Sequence, residues 1–403
     1  MEDSHVQLIE WITSNGGYIS PKLEIRELPG RGRGLVVNDR VYPNERLIHL
    51  KLRQLLNYSS IHSSMVEGGH LTEAEYRSMS AHQVLALFLV IQHSLGSKSD
   101  WKAFMGLLPD RKEGFLDVPL QWSKDEQESL TPEGIAVLKK TLDTFETDYD
   151  KVKKYVQKYD PEDPRDAYLW AWLCVNSRCL YFDLTLTTGR KDAQEVPDNI
   201  TLAPYVDLIN HSVESGPTHC QLKTSSMGFE ILCGQRGYTA DEEIFLCYGP
   251  RSNSVLLCEY GFTVPQNPWD DVDISEALET TFLTKQHETV LKELGYFGEY
   301  TLLPDSISFR TQVAFAAIHF LQSSEPANAR LLKLFVDGKL GTQRFQNTMK
   351  AGLRDILTSS AQETEAVLAS SAKLRSHVEI LHQSRLEILK ALLADLASIV
   401  RAT

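Results

Sequence analysis

The chain has 403 residues, 54 acidic against 41 basic, and a formal net charge of −13, so it exceeds one compact core and two or three lobes are expected. The acidic balance excludes a broad nucleic-acid-binding surface, which needs clustered Lys and Arg to neutralise phosphates, and it favours basic protein partners. Hydrophobic and charged fractions of 42% and 24% exclude disorder at scale.

The opening residues, MEDSHVQLIEWI, are acidic and show no basic segment ahead of an apolar core, so no secretory signal is expected. Helical spacing over 5–14 puts Val6, Ile9 and Ile12 on one face, and Asn15-Gly16-Gly17 ends the helix. Short alternating segments at 23–28, 35–37 and 46–50 read as strands. From about 80 to 185 the period becomes helical, with helices over 81–95, 133–158 and 164–177. The longest apolar run, Val84 to Ile91, is far shorter than the roughly 20 residues of a membrane span. Strand signals return at 200–209, 219–223, 229–233 and 243–248, and the chain is helical after about 280. Its last helix carries the stripe Leu374, Val378, Leu381, Leu389, Leu392, Leu396 and Val400. The strand segments cannot close a core separately, so 18–80 and 178–265 are expected to interleave around the helical insertion.

Four stretches can carry chemistry. GRGRGLVV at 30–37 alternates Gly30, Gly32 and Gly34, which allows a tight turn and close backbone approach to a ligand; its spacing is not that of a dinucleotide fingerprint. WAWLCVNSRCLYF at 170–182 delivers Arg178 from the end of an apolar helical run, where an arginine snorkels or finds an ion pair. TLAPYVDLINHS at 201–212 reads as a buried apolar strand that ends in Asn210, His211 and Ser212, polar groups that need partners if buried. EEIFLCYGPRSNSVLLCEYGF at 242–262 places Tyr248 at a strand end before the Gly249-Pro250 turn, at a rim instead of in a core, ahead of a short helix and Tyr260 and Phe262.

His211, His219 and Cys220 lack the paired short spacings of zinc ligands, so no metal is expected. The six cysteines (174, 179, 220, 233, 247 and 258) form no CxxC pair and read as the reduced thiols of a cytoplasmic or nuclear protein. No nucleophile elbow or phosphate-binding loop is present to anchor a hydrolase or NTPase reading.

Taken in this order, the four stretches resemble SET-domain protein methyltransferases, in particular the subfamily of the plant Rubisco large-subunit lysine methyltransferase. GRGRGL is similar to the family's first glycine motif, which implies cofactor contacts at Gly32, Arg33 and Gly34. VNSR resembles the segment whose arginine lies near the cofactor, here Arg178. DLINHS resembles the D-x-x-N-H element, here Asp207, Asn210 and His211. CYGPRSNSVLLCEYGF resembles the catalytic-tyrosine motif, with Tyr248 as catalytic residue beside the cofactor, Phe262 over the adenine and Tyr260 toward the substrate.

The resemblance implies an α+β fold: a SET-type core of short interleaved β-sheets over 18–265, with a helical insertion at about 81–177, then an all-helical substrate-binding lobe over 280–403. No cysteine cluster follows Phe262, so the zinc-bearing tail of many histone-directed relatives is absent. The implied cofactor is S-adenosyl-L-methionine, whose ammonium, carboxylate and sulfonium call for mixed donors and acceptors; the Asn210 amide offers both kinds, and Arg178 suits the carboxylate. The implied activity is methylation of lysine in a basic protein such as a ribosomal protein, a translation factor or a histone, with no direct nucleic-acid contact and no membrane. Leu180, two residues beyond the cofactor arginine, offers an apolar wall for a lysine stem and no hydrogen bond for an imidazole. The alternatives are a histidine methyltransferase on the same fold and a SET-fold binding module without turnover.

Overall fold

The computed structural model describes residues 2–183, 199–214, 216–322, 326–370 and 374–396. It divides into two compact units: Met1–Gln121 with Lys139–Pro250 and Glu259–Gly261, and Trp122–Leu138 with Arg251–Cys258 and Phe262–Thr403.

The first unit opens on the helix Glu2–Ser14. Its buried positions are Leu8 and Ile12, an i, i+4 pair, whereas Val6 is 51% exposed, so the core face is rotated from the predicted one. Strands β1 (Tyr18–Ile19), β2 (Leu23–Leu28), β3 (Gly32–Val37) and β4 (Arg46–Leu50) follow, then β5 (Leu56–Asn57). The insertion supplies the helices Ala81–Leu95 and Pro164–Arg178. Ala81–Leu95 is capped by Ser80, whose hydroxyl accepts from the Gln83 N–H, and it is apolar nearly all round because it runs through the core. A buried carboxylate knits this layer: Asp148 accepts from Gln83 Nε2 (2.7 Å) and Trp172 Nε1 (2.9 Å).

After the insertion come β6 (Cys179–Tyr181), β7 (Ile200–Leu202), β8 (Asn210–His211), β9 (Gln221–Ser225), β10 (Gly228–Leu232) and β11 (Phe245–Leu246). Four small sheets result: β1-β4-β10-β9, the β2-β3 hairpin, β5-β7-β6, and the parallel pair β8-β11. Two of them, β1-β4-β10-β9 and β5-β7-β6, combine strands from before and after the insertion, the expected interleaving. The predicted strand over 200–209 is broken. Tyr205 has φ +74° and a 3₁₀ turn, Val206–Leu208, replaces its middle. A half-buried continuous strand would alternate faces, whereas here the adjacent residues Leu208 and Ile209 are both buried.

The second unit is mainly helical, with Phe309–Phe320, Gln346–Ala369 and Ser376–Ala394 as its longer well-packed members. Val378, Leu381, Leu389, Leu392 and Leu396 of the predicted stripe are buried; Val400 lies outside the described residues. The unit departs from all-helix where β12 (Val272–Asp273) pairs with β13 (Thr301–Leu302). The unit also includes residues 122–138, which the linear reading assigned to the insertion. An electrostatic tie holds it there: Arg385 pairs with Glu133, both 7% exposed, and Glu133 accepts the Asp273 N–H at 2.8 Å. A buried charge needs such partners.

Candidate active site

Apart from Phe262 and the start of the turn at Leu256, the following groups belong to the first unit. The helix Pro164–Arg178 ends on the arginine, whose guanidinium reaches the 3₁₀ turn at 206–208: Nη1 donates to both the carbonyl and Oδ2 of Asp207, each at 3.1 Å. The Asp207 side chain is only 3% exposed. Burial pushes its pKa above the usual carboxylate range, and Arg178 pulls in the opposite direction. Arg33, at the start of β3, is held below the ordinary arginine range by burial and then by the like charge of Arg178. Its own long contact with Glu27 (3.9 Å) ends on an exposed carboxylate and contributes little. Arg178 Nε is buried and has no hydrogen-bond partner among the described residues. Two neighbouring guanidiniums with a buried donor left over fit a carboxylate-bearing ligand.

Asn210 and His211 form β8, held parallel to β11 with Asn210 opposite Phe245 and His211 opposite Leu246. The Asn210 amide donates twice, to the Arg33 carbonyl (3.2 Å) and to Glu243 Oε1 (2.7 Å). Glu243 is carried beside β3 by its bridge to Val36 and also takes Arg31 Nη1 at 2.8 Å. Gly34 sits under this pair: a Cβ there would lie 2.6 Å from Glu243 Oε1 and 2.9 Å from Asn210 Nδ2. The expectation gave Gly34 to ligand approach, but the space in front of its α-carbon is filled by protein. Gly32, with φ +66° and nothing within 4 Å of such a Cβ, keeps the open backbone expected of it.

Tyr248 follows β11 and is turned inward. Its N–H donates to His211 Nδ1 (3.0 Å) and its hydroxyl donates to the Ile209 carbonyl (2.7 Å). Its ring lies 5.0 Å from His211 and 5.5 Å from Tyr260. Tyr260 closes the π-helical turn Leu256–Tyr260, a backbone form that often marks functional sites. Burial raises the Tyr248 phenol above its ordinary value, so it is protonated at neutral pH. Leu180 lies in β6 opposite Thr201, half-buried against the core. Phe262 belongs to the second unit, where its N–H donates to the Leu256 carbonyl at 3.4 Å.

Burial pushes the His211 imidazole down to about 4, so the ring is neutral and, with Nδ1 accepting from Tyr248, its proton is on Nε2. The sign of the linkage follows. Between the unfolded value near 6.5 and the folded value near 4 the unfolded chain holds a proton that the native ring lacks, so stability falls as pH drops through that window. Melting temperatures taken from about pH 7 down to about pH 4.5 should fall less steeply for His211→Gln than for the parent chain; parallel slopes reject the assignment.

Sequence reasoning missed Glu243, Arg31 and Tyr205. Glu243 was visible as a charged residue preceding the apolar run IFL. The positive φ of Tyr205 has no local signal, since Asn or Gly is the usual occupant.

Among the described residues no cluster of three or more His, Cys, Asp or Glu side chains is arranged to hold a metal, and no helix is long and apolar enough to cross a membrane.

A helix-split set of small interleaved sheets, with the DLINH and YGP segments cross-linked through Tyr248, is the SET-domain fold of protein methyltransferases. The comparisons agree. Residues 270–403 match the ribosomal lysine N-methyltransferase 2 C-terminal domain. Ribosomal lysine N-methyltransferase set11 of Schizosaccharomyces pombe is 27% identical over 89% of each chain. Ribosomal lysine N-methyltransferase 2 of Saccharomyces cerevisiae is 25% identical over 94% of each. The structure of Rubisco LSMT bound to sinefungin and monomethyllysine superposes with a TM-score of 0.64 at 17% identity, covering 100% of this chain and 92% of that one. The fold is that of the SET domain, and along most of its length the chain is similar to ribosomal lysine N-methyltransferases.

Proposed function

We propose that the chain transfers the methyl group of S-adenosyl-L-methionine to the Nζ of a lysine in a basic ribosomal protein. The observation that carries this reading is the double tie of Tyr248 to the DLINH segment, through His211 Nδ1 and the Ile209 carbonyl, which joins two stretches 37 and 39 residues apart in sequence. The cofactor supplies an electrophilic methyl on a sulfonium. Arg178 and Arg33 hold its carboxylate, Asn210 its ammonium, and the open turn at Gly32 admits its methionine end.

The acceptor must be a neutral amine, yet on the order of one free lysine in a thousand is neutral at pH 7. An apolar wall, to which Leu180 contributes, lowers the amine pKa by desolvation. Tyr248 is not the base, because burial keeps its phenol protonated. With its hydrogen committed to Ile209, its oxygen is left to accept from the amine and orient the lone pair for in-line attack; the proton leaves through water. Leu180 gives no hydrogen bond, so lysine is favoured over histidine. The net charge of −13 steers basic partners at low salt. The names of the curated relatives support a ribosomal substrate, and a cytoplasmic or nuclear location goes with that reading.

The test is incubation with methyl-labelled cofactor and ribosomal proteins, followed by total hydrolysis. Label in methyllysine is expected; label in methylhistidine, or none, overturns the reading.

A further inference from the structure

The amide of Asn210 is oriented by its surroundings. Its nitrogen faces two acceptors, the Arg33 carbonyl at 3.2 Å and the Glu243 carboxylate at 2.7 Å. A flipped amide would set its oxygen against both, so only one orientation is chemically stable. Both N–H groups are then spent, and the oxygen is the hydrogen-bonding atom left to meet a ligand. Asn210 is thus an acceptor, not the mixed donor and acceptor expected from its type. Glu243 enforces this, and it is itself held by Arg31 at 2.8 Å with its own side chain 9% exposed.

We propose that Glu243 is a positioning residue, which touches no substrate but fixes Asn210 so that its oxygen recognises the ammonium group of an amino-acid-bearing ligand. This rests on the methyltransferase reading. It accounts for a feature that reading does not use: Gly34 must be glycine because a Cβ would press on both Glu243 and Asn210. Replacing Glu243 by methionine frees the amide to rotate, and the site loses its preference for a charged amine.

Binding of S-adenosylhomocysteine and of its analogue lacking the α-amino group is measured by calorimetry on the full chain. The parent chain should prefer the amine-bearing ligand by about tenfold or more, the scale of a hydrogen bond to a charged group. In Glu243→Met that preference should collapse, with S-adenosylhomocysteine about tenfold weaker and the deaminated analogue changed by less than about twofold. Gly34→Ala should show the same pattern and carries the test if the methionine variant does not fold. An unchanged amine preference in a folded variant overturns the positioning role alone. A parent chain that binds neither ligand overturns the methyltransferase reading beneath it.

Discussion

Tyr248→Phe is expected to lower turnover by roughly two to three orders of magnitude while S-adenosylhomocysteine binds within about twofold of the parent chain. The ring remains, so the packing against His211 and Tyr260, with centroids 5.0 and 5.5 Å away, is kept. The backbone donation to His211 Nδ1 is also kept. What disappears is one oxygen, together with its bond to the Ile209 carbonyl. Losing that bond costs about 1 kcal/mol of stability, far less than the catalytic effect. In the proposed mechanism the oxygen matters for rate because it accepts from and orients the lysine amine, and attack at carbon tolerates little misalignment. Single-turnover rates and calorimetry on the same preparation separate the two quantities. Turnover within about threefold of the parent chain rejects the assignment.

Arg178→Met is expected to destabilise the first unit by about 3–5 kcal/mol, the cost of leaving a buried carboxylate unpaired. Asp207 is the carboxylate, with its side chain 3% exposed and its pKa already raised by burial. Without the arginine that value rises further. The native state then holds a proton that the unfolded state releases above its ordinary value of 3.8, so stability falls as pH rises through the interval between the two. The deficit relative to the parent chain should therefore be larger at pH 8 than at pH 5. The double variant Arg178→Met with Asp207→Asn removes both charges and should recover most of the loss, since no buried ion remains. Denaturant midpoints for the two single variants and the double one complete the cycle. A deficit that does not change with pH, or a double variant no better than Arg178→Met, rules out the ion-pair account. Neither variant should bind S-adenosylhomocysteine as the parent chain does, because the carboxylate partner is gone in both.

Much of the site was legible because its residues are local in sequence and chemically distinctive. Asn210-His211 at the exit of an apolar segment and Tyr248 before Gly249-Pro250 are polar groups where burial demands partners; His211 and the Ile209 carbonyl find Tyr248, and Asn210 finds Arg33 and Glu243. The helix Pro164–Arg178 was equally readable, since Pro at its first turn and an apolar run to an arginine are local signals. Less legible was the division of the chain. Residues 122–138 read as part of the insertion by position, yet they pack in the second unit through Glu133 and Arg385, which are 252 positions apart. No periodicity encodes a contact of that range.

By itself the sequence determined the class of fold, the helical spans and the types of group available to the chemistry, because periodicity, turn residues and polar residues in apolar runs are short-range properties. Only the tertiary structure decided orientation: that the space in front of the Gly34 α-carbon is filled by Glu243 and Asn210, that the Asn210 amide nitrogen donates to Glu243, that the segment after Leu202 turns at Tyr205 instead of continuing as a strand, and that the Tyr248 phenol points inward. These outcomes depend on which distant strand, here the one bearing Glu243, is brought alongside. That is settled by packing the whole core and not by any local preference.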